Sequence, residues 1–223
     1  MIRLAIYDMD RTITKRGTYT PFLIYAAMRL APWRLVFMPV ALIFMLVYAA
    51  KLISRATLKE WNQRLLLGRA LHRERLAPVA RGFAQRTMRT NVLAGAVDRI
   101  AADKAAGWRV VLATASYRLY VEAIAAALGV DDVIATNSII GLDSRIMARI
   151  DGENCYGPAK LRMVQTWMAE QGIDRADAEI RFYSDHASDA PVLEWADEPF
   201  AVNPHDRLRR LAGTRGWTII DWW

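Results

Sequence analysis

Residues 3–12 read RLAIYDMDRT, and the fold hinges on that stretch. Arg3–Tyr7 is a short apolar run that stops at two acids spaced by one residue, Asp8 and Asp10. A strand buried on both faces of a parallel sheet has this near-continuous apolar character and ends in a polar loop. We therefore expect Asp8 and Asp10 on the loop that follows a first, central strand.

Downstream the pattern is helical from Thr20 to about Met88, broken at Pro21, Pro32, Pro39 and Pro78. Asn91–Ala106 reads as a further helix with Asn91 as N-cap and Gly107 past its end. Strand patterns at Trp108–Ala113, Val133–Thr136, Ile180–Tyr183, Phe200–Val202 and Trp217–Ile220 then alternate with helical ones at Tyr117–Leu128, Pro158–Gln171, Ala187–Trp195 and His205–Leu211. Ser138–Ile150 reads as a hairpin turning near Gly141–Asp143. Alternation of this kind implies a parallel sheet with right-handed crossovers. The expected fold class is α/β: a Rossmann-like doubly wound parallel sheet formed by 1–14 and 90–223, with a helical cap at 15–89 inserted after strand 1.

A chain of 223 residues with 54% apolar and 24% charged residues can fill a large core, which excludes wholesale disorder. The lone Cys155 cannot form an internal disulfide, and the N-terminus lacks the basic and long apolar regions of a cleavable leader. We expect a cytoplasmic protein, with the inner face of the membrane as the alternative. The net charge of +7 is uneven: residues 29–89 hold twelve Lys/Arg against Glu60 and Glu74. Such a segment is either a solvated basic face or the seat of an anionic partner. No nucleic-acid-binding module is recognisable, so no nucleic acid partner is expected.

The reactive residues fall where parallel strands end: Asp8 and Asp10 after the first, Thr114, Ala115 and Ser116 after the second, Asp185 and Asp189 after the fourth, with Lys160 in the first turn of a helix. Loops at the carboxyl edge of such a sheet converge on one site. Four carboxylates crowded together resist ionisation unless a cation joins them. Mg²⁺ suits such a set, since it binds through one or two carboxylates and keeps waters and a phosphate oxygen. With Lys160 it neutralises a phosphoryl group, while Asp8 serves as nucleophile and Asp10 as acid and base. Each residue also has a plainer reading. Asp10 and Thr12 can be turn residues, Asp189 a helix N-cap, Lys160 a solvated lysine, Ser116 a cap or hydrogen-bond donor, His186 a polar loop residue and Cys155 structural.

Taken together, Asp8-Met9-Asp10-Arg11-Thr12, Thr114, Lys160 and the run Ser184–Asp189 resemble the four motifs of the haloacid dehalogenase superfamily, in order, spacing and strand context. The helical insertion resembles the cap of its phosphoserine-phosphatase-like subfamily. The resemblance implies a Mg²⁺-dependent phosphomonoester hydrolase with an aspartyl-phosphate intermediate. It implies Asp8 as nucleophile and metal ligand, and Asp10 as acid/base with its carbonyl on the metal. Thr114, Ala115 and Ser116, with Lys160, bind the phosphoryl group, and Asp185 and Asp189 complete the metal side. Phosphoserine phosphatases carry a glutamate early in the cap, whereas Lys15-Arg16-Gly17-Thr18 has no acid, which leaves the substrate unassigned. Transfer to an acceptor other than water uses the same residues, and a non-enzymatic binding module on this fold is the remaining reading.

Leu35–Ala50 is sixteen apolar residues in a row. As a helix it reaches about 24 Å, short of the roughly 30 Å hydrocarbon core. A single crossing would also part Asp8 from Thr114, Lys160 and Asp185. The open choices are a buried cap helix pair bent near Pro39, a homodimer contact through the cap, or a hairpin dipping into one leaflet beside anionic headgroups at Arg29, Arg34, Lys51 and Arg55. The last resembles phosphatidylglycerophosphate phosphatases. A lipid phosphate thus stands beside a small phosphorylated metabolite as expected substrate.

Overall fold

A computed structural model describes residues 1–222. Strand β1 (Ile2–Tyr7) lies at the centre of an eight-stranded sheet. It pairs in parallel with β3 (Arg109–Tyr117) on one side and β6 (Ala178–Ser184) on the other. Side chains alternate across a strand, and both faces here are covered. Ala5 and Tyr7 enter one core with α5 (Ala94–Ala105) and α6 (Arg118–Leu128), while Leu4 and Ile6 enter the other with α7 (Pro158–Glu170), α8 (Ala190–Trp195) and α9 (Asp206–Arg215). All four are fully buried, each large aliphatic contributing about 1.5–3 kcal/mol.

The parallel part of the sheet runs β4 (Asp132–Ile140), β3, β1, β6, β7 (Glu198–Val202), β8 (Thr218–Ile220). This is the doubly wound α/β architecture expected. The expected third strand and the first arm of the hairpin are one strand, β4, which pairs antiparallel with β5 (Arg145–Asp151). Strand β3 outruns its expected end at Ala113. Its register against β4 shifts between Thr114 and Tyr117, so Thr114, Ala115 and Ser116 sit in an irregular stretch of strand rather than in a loop.

The inserted segment holds α1 (Tyr19–Leu30), a 3₁₀ turn (Pro32–Phe37), α2 (Met38–Ala49), α3 (Arg55–Leu67), a short strand β2 (Ala70–His72) and α4 (Arg73–Thr90). Its two ends are joined by an antiparallel bridge between Thr14 and Val92. Asn91 does not cap α5, whose N-cap is Leu93. Its side chain instead accepts from Arg16 N–H at 3.1 Å and donates to Arg16 C=O at 3.0 Å, closing the same junction.

Three local expectations are corrected. Pro78 lies inside α4 without ending it. Pro39 opens α2 rather than bending it mid-way, a position where its missing N–H costs nothing. Residues 70–72 are a strand because Gly68, at φ +97°, stops α3 and the chain pairs with the free edge of β5.

The buried helix pair is also corrected. Of the twelve residues of α2 only Ala41 is buried, while Leu46 is 69% exposed. The stretch Pro32–Ala49 is long and apolar enough to cross a membrane by length and composition. It folds back beside α3, with the Phe44 and Trp61 rings 5.0 Å apart.

Candidate active site

Asp8 leaves the end of β1 buried, and its Oδ1 accepts a hydrogen bond from Lys160 Nζ at 2.7 Å. Lys160 sits in the first turn of α7, which starts at Pro158 after Gly157 at φ +61°. Its ammonium also donates to Asp189 Oδ2 at 2.6 Å, and that oxygen accepts from Ser184 Oγ at 2.7 Å. Lys160 is therefore not solvated. Nor does Asp189 cap α8 through its side chain; it faces the lysine, and its buried Oδ1 has no hydrogen-bond partner among the described residues. Burial opposes the charge on Lys160, but Asp189 and Asp8 outweigh it and hold the ammonium above the usual lysine range.

Thr12 joins the first acidic loop to the fourth. Its Oγ1 accepts from Asp185 N–H at 3.0 Å and lies 3.5 Å from both Asp8 Oδ2 and Asp185 Oδ1. The two carboxylates flank one hydroxyl. Burial first, then the charge of Asp8 and Asp189, pushes the Asp185 carboxyl up to about 8. Asp8 is pushed up to about 6, mainly by burial, with Lys160 pulling the other way.

Asp10 is held differently. Its Oδ1 accepts from Thr18 N–H and Oγ–H, both at 2.8 Å, and its Oδ2 accepts from Ser116 Oγ at 2.8 Å. Ser116 is thus a hydrogen-bond donor, as one of its readings anticipated. Thr114 Oγ1 accepts from Ser116 N–H at 3.1 Å, and among the described residues its own proton has no acceptor. A cavity of about 390 Å³ opens over Asp8, Asp10, Thr114, Lys160, Asp185 and Asp189, so all the acids and the lysine singled out from the sequence border one space. His186 also borders it, with Nδ1 accepting from Ser188 N–H at 3.1 Å. A larger cleft of about 520 Å³ between α4 and α6 contains none of these acids. Cys155 is buried, and burial pushes its thiol up to about 12.

Sequence reasoning missed several residues. Arg55 lies 4.3 Å over the Tyr156 ring at the cavity mouth. His205 Nε2 is 2.9 Å from Arg11 Nη1 and 3.5 Å from Asp185 Oδ2. Trp222 Nε1 donates to Thr12 C=O at 2.9 Å. Nothing in their spacing marks them, since each comes from a distant part of the chain. Arg11 adopts φ +67°, an unusual conformation for a non-glycine residue.

Among the described residues, no three His, Cys, Asp or Glu side chains converge as a ready-made metal cage. The reason is visible: Asp189 is turned to Lys160, and the Asp10 carboxylate is turned to Thr18 and Ser116. What remains is a pair of oxygen donors, Asp8 and Asp185, with the nearby His205 Nε2 engaged by Arg11 Nη1 at 2.9 Å. That donor set fits a hard cation which keeps most of its waters, as Mg²⁺ does, and not zinc.

A family model for haloacid dehalogenase-like hydrolases matches residues 5–194. A Mycobacterium tuberculosis protein named "Probable phosphatase" is 35% identical over 130 residues, which is 58% of this chain and 44% of that one. The chain spans less than half the length of the curated relatives it matches first. Among solved structures, a Bordetella pertussis Tohama I protein of unknown function superposes over 100% of both chains with a TM-score of 0.90 at 30% identity. A substrate-bound phosphoserine phosphatase superposes over 99% of this chain and 93% of that one, with a TM-score of 0.64 at 18% identity, a likeness of fold.

Proposed function

We propose that this chain, which belongs to the haloacid dehalogenase-like hydrolases, is a phosphomonoester hydrolase that works through Asp8. The observation that carries this reading is the buried row Asp8–Lys160–Asp189 facing a cavity that also holds Asp10 and Thr114. Lys160 occupies Asp8 Oδ1 at 2.7 Å, whereas Oδ2 has only the distant Thr12 hydroxyl at 3.5 Å. Oδ2 is thus the oxygen free to attack phosphorus.

In the first step Asp8 Oδ2 forms a bond to phosphorus, the ester P–O bond breaks, and the leaving oxygen takes a proton from Asp10. In the second, water attacks the same phosphorus and gives a proton to Asp10. The Asp8 Oδ2–phosphorus bond breaks, which frees the Asp8 carboxylate and releases phosphate, while the proton from water returns Asp10 to the acid form in which it began. Thr18 and Ser116 fix the direction of Asp10 through both steps. The Thr114 hydroxyl, with its proton unused, donates to a phosphoryl oxygen, and Lys160 balances the charge of Asp8 and the phosphoryl group. Asp8, Asp185 and the main-chain carbonyl of Asp10 would hold Mg²⁺. When bound it supplies charge neutralisation for the transferring group. In this reading residues 15–89 act as a cap over the site, and 1–14 with 90–223 as the catalytic core.

The test is Mg²⁺-dependent release of p-nitrophenol from p-nitrophenyl phosphate. Asp8→Asn, which keeps shape but not nucleophilicity, should lower kcat by at least about a thousandfold. Wild-type protein without turnover, or a variant that retains it, refutes the reading.

One observation favours a second reading of the substrate, a lipid phosphate. The apolar residues of α2 are open to solvent, and Arg29, Arg34, Lys51 and Arg55 flank the segment in sequence. Apolar side chains flanked by arginines suit an anionic interface. Co-flotation with phosphatidylglycerol vesicles that Leu46→Glu abolishes, together with phosphate release from a phospholipid monoester, would support it. Protein that stays unbound and cleaves only soluble esters would exclude it.

A further inference from the structure

The inserted segment reaches the phosphoryl-binding stretch through one buried side chain that the reaction scheme above does not use. Helix α3 is capped at Ser54, whose Oγ accepts from Thr57 N–H at 3.0 Å. Its inward face carries Lys59, Asn62, Gln63, Leu66 and Leu67, at the spacing of one helix side. Three of those five residues are polar, and Lys59 is 5% exposed. A lysine is almost never buried without a partner. Here the ammonium donates to Ala115 C=O, to Asn154 Oδ1 at 2.7 Å and, more weakly, toward Thr136 Oγ1 at 3.5 Å, and it lies 4.5 Å from the centre of the Tyr117 ring.

We propose that Lys59 is a positioning residue: by gripping Ala115 C=O from the inserted segment it sets the orientation of the Ala115–Ser116 peptide, and through it both the Thr114 hydroxyl and the Asp10 carboxylate. The inference rests on the assignment of Asp8, Asp10 and Thr114 above. In a planar trans peptide the C=O and the following N–H point in opposite directions. With Ala115 C=O drawn toward Lys59 and Thr136 Oγ1, which donates to it at 2.8 Å, Ser116 N–H is turned the other way, onto Thr114 Oγ1 at 3.1 Å. That bond leaves the threonine with its proton to give. The same peptide starts Ser116, whose Oγ donates to Asp10 Oδ2 at 2.8 Å.

Thr136 cannot replace the lysine. Its hydroxyl has one proton, and both Ala115 C=O and Asn154 Oδ1 lie within its reach, at 2.8 and 3.1 Å. Without Lys59 one of the two acceptors has no donor, so the peptide gains freedom to rotate. Burial, with Arg55 nearby, pushes the ammonium down to about 7, which is the cost of placing a cation there and marks the position as one that packing alone would not choose.

The experiment compares wild type, Lys59→Met, Ser116→Ala and the double variant on p-nitrophenyl phosphate and on phenyl phosphate, whose leaving group needs protonation more. Lys59→Met should lower kcat about ten- to a hundredfold with KM changed less than about threefold. The loss should be several times greater on phenyl phosphate, because a misdirected Asp10 is the shared fault. The double variant should lose no more than the worse single one. Equal losses on both substrates, additive losses, or kcat within twofold of wild type overturn the proposal. Lys59→Gln, which keeps one N–H donor, replaces the methionine variant if that one does not fold, and should fall between it and wild type. If wild-type protein shows no turnover, the reading of the site has failed and amide exchange still decides the contact. Ser116 N–H should exchange at least tenfold faster in Lys59→Met, and unchanged protection overturns the proposal.

Discussion

Asp185→Asn should make the metal-free protein more stable at alkaline pH. Asp185 is buried, faces Asp8 across the Thr12 hydroxyl, and has its carboxyl pushed up to about 8 from an ordinary 3.8 by burial and by Asp8 and Asp189, with Lys160 and then Arg11 opposing. A raised carboxyl pKa means that between those values the folded protein holds a proton the unfolded chain has released. Stability from this group is therefore complete below about pH 3.8 and is lost as pH climbs through about 8. Each unit is about 1.4 kcal/mol, so the full span corresponds to on the order of 5 kcal/mol. Relaxation around Asp8, itself raised to about 6, shares the load and brings the expected gain to about 3 kcal/mol.

Asparagine has the shape of the protonated acid and no charge to bury. In EDTA the variant should melt within about 2 °C of wild type at pH 4.5 and roughly 6–12 °C above it at pH 8.5, at 2–4 °C per kcal/mol for a chain of this size. The difference between the two proteins isolates Asp185 from Lys59, whose depressed ammonium contributes with the opposite slope between about 7 and 10.5. Mg²⁺ should then raise the melting temperature of wild type at pH 8.5 and leave the variant unmoved. Parallel pH profiles for the two proteins, or a variant less stable than wild type at pH 8.5, would refute the claim that uncompensated carboxylate charge gathers around Thr12.

Lys160→Met should cost about 3–5 kcal/mol in urea unfolding at pH 7, because it strands Asp8 and Asp189 without their shared cation; turnover should fall at least a thousandfold. Gly95→Ala should cost about 1–3 kcal/mol by thermal melting, since an added Cβ would collide with Trp222 Cβ, where Trp222 is tied to Thr12.

What the sequence made legible was what one strand or one helix could encode. Leu4–Tyr7 is apolar without alternation because the strand lies between two others and is covered on both faces. The residues after it face the carboxyl edge of the sheet. Lys160 borders the same cavity because Gly157 and Pro158 start α7 there. What stayed illegible depended on partners far along the chain. Residues 70–72 have no strong strand pattern and extend only because β5 offers an open edge. The face of α3 that turns inward sets Lys59, Asn62 and Gln63 beside Leu66 and Leu67, all buried, while Trp61 is 39% exposed. A reading that sends only apolar residues inward misses that polar part, since Lys59 and Gln63 Nε2 find their partners at Ala115, Asn154 and Met147, more than 50 residues away. Asn91 looked like a helix cap because caps and chain-junction ties use the same side chain.

These distant ties bear on how an inserted segment can govern a site it does not build. Asp8 needs no help from it, being fixed by Lys160 from the core. Asp10 is the exception. One of its oxygens is held by Thr18, at the threshold of α1, and the other by Ser116, on β3. Tyr120, from α6, backs Thr18 at 3.0 Å, and Lys59, from α3, backs the peptide before Ser116. The group assigned to proton transfer is thereby the one suspended between the inserted segment and the sheet. A displacement of α1 and α3 would move Asp10 relative to the leaving oxygen while leaving Asp8 and Lys160 in place. Closure of the segment would then be read by the chemistry as the alignment of a single carboxylate.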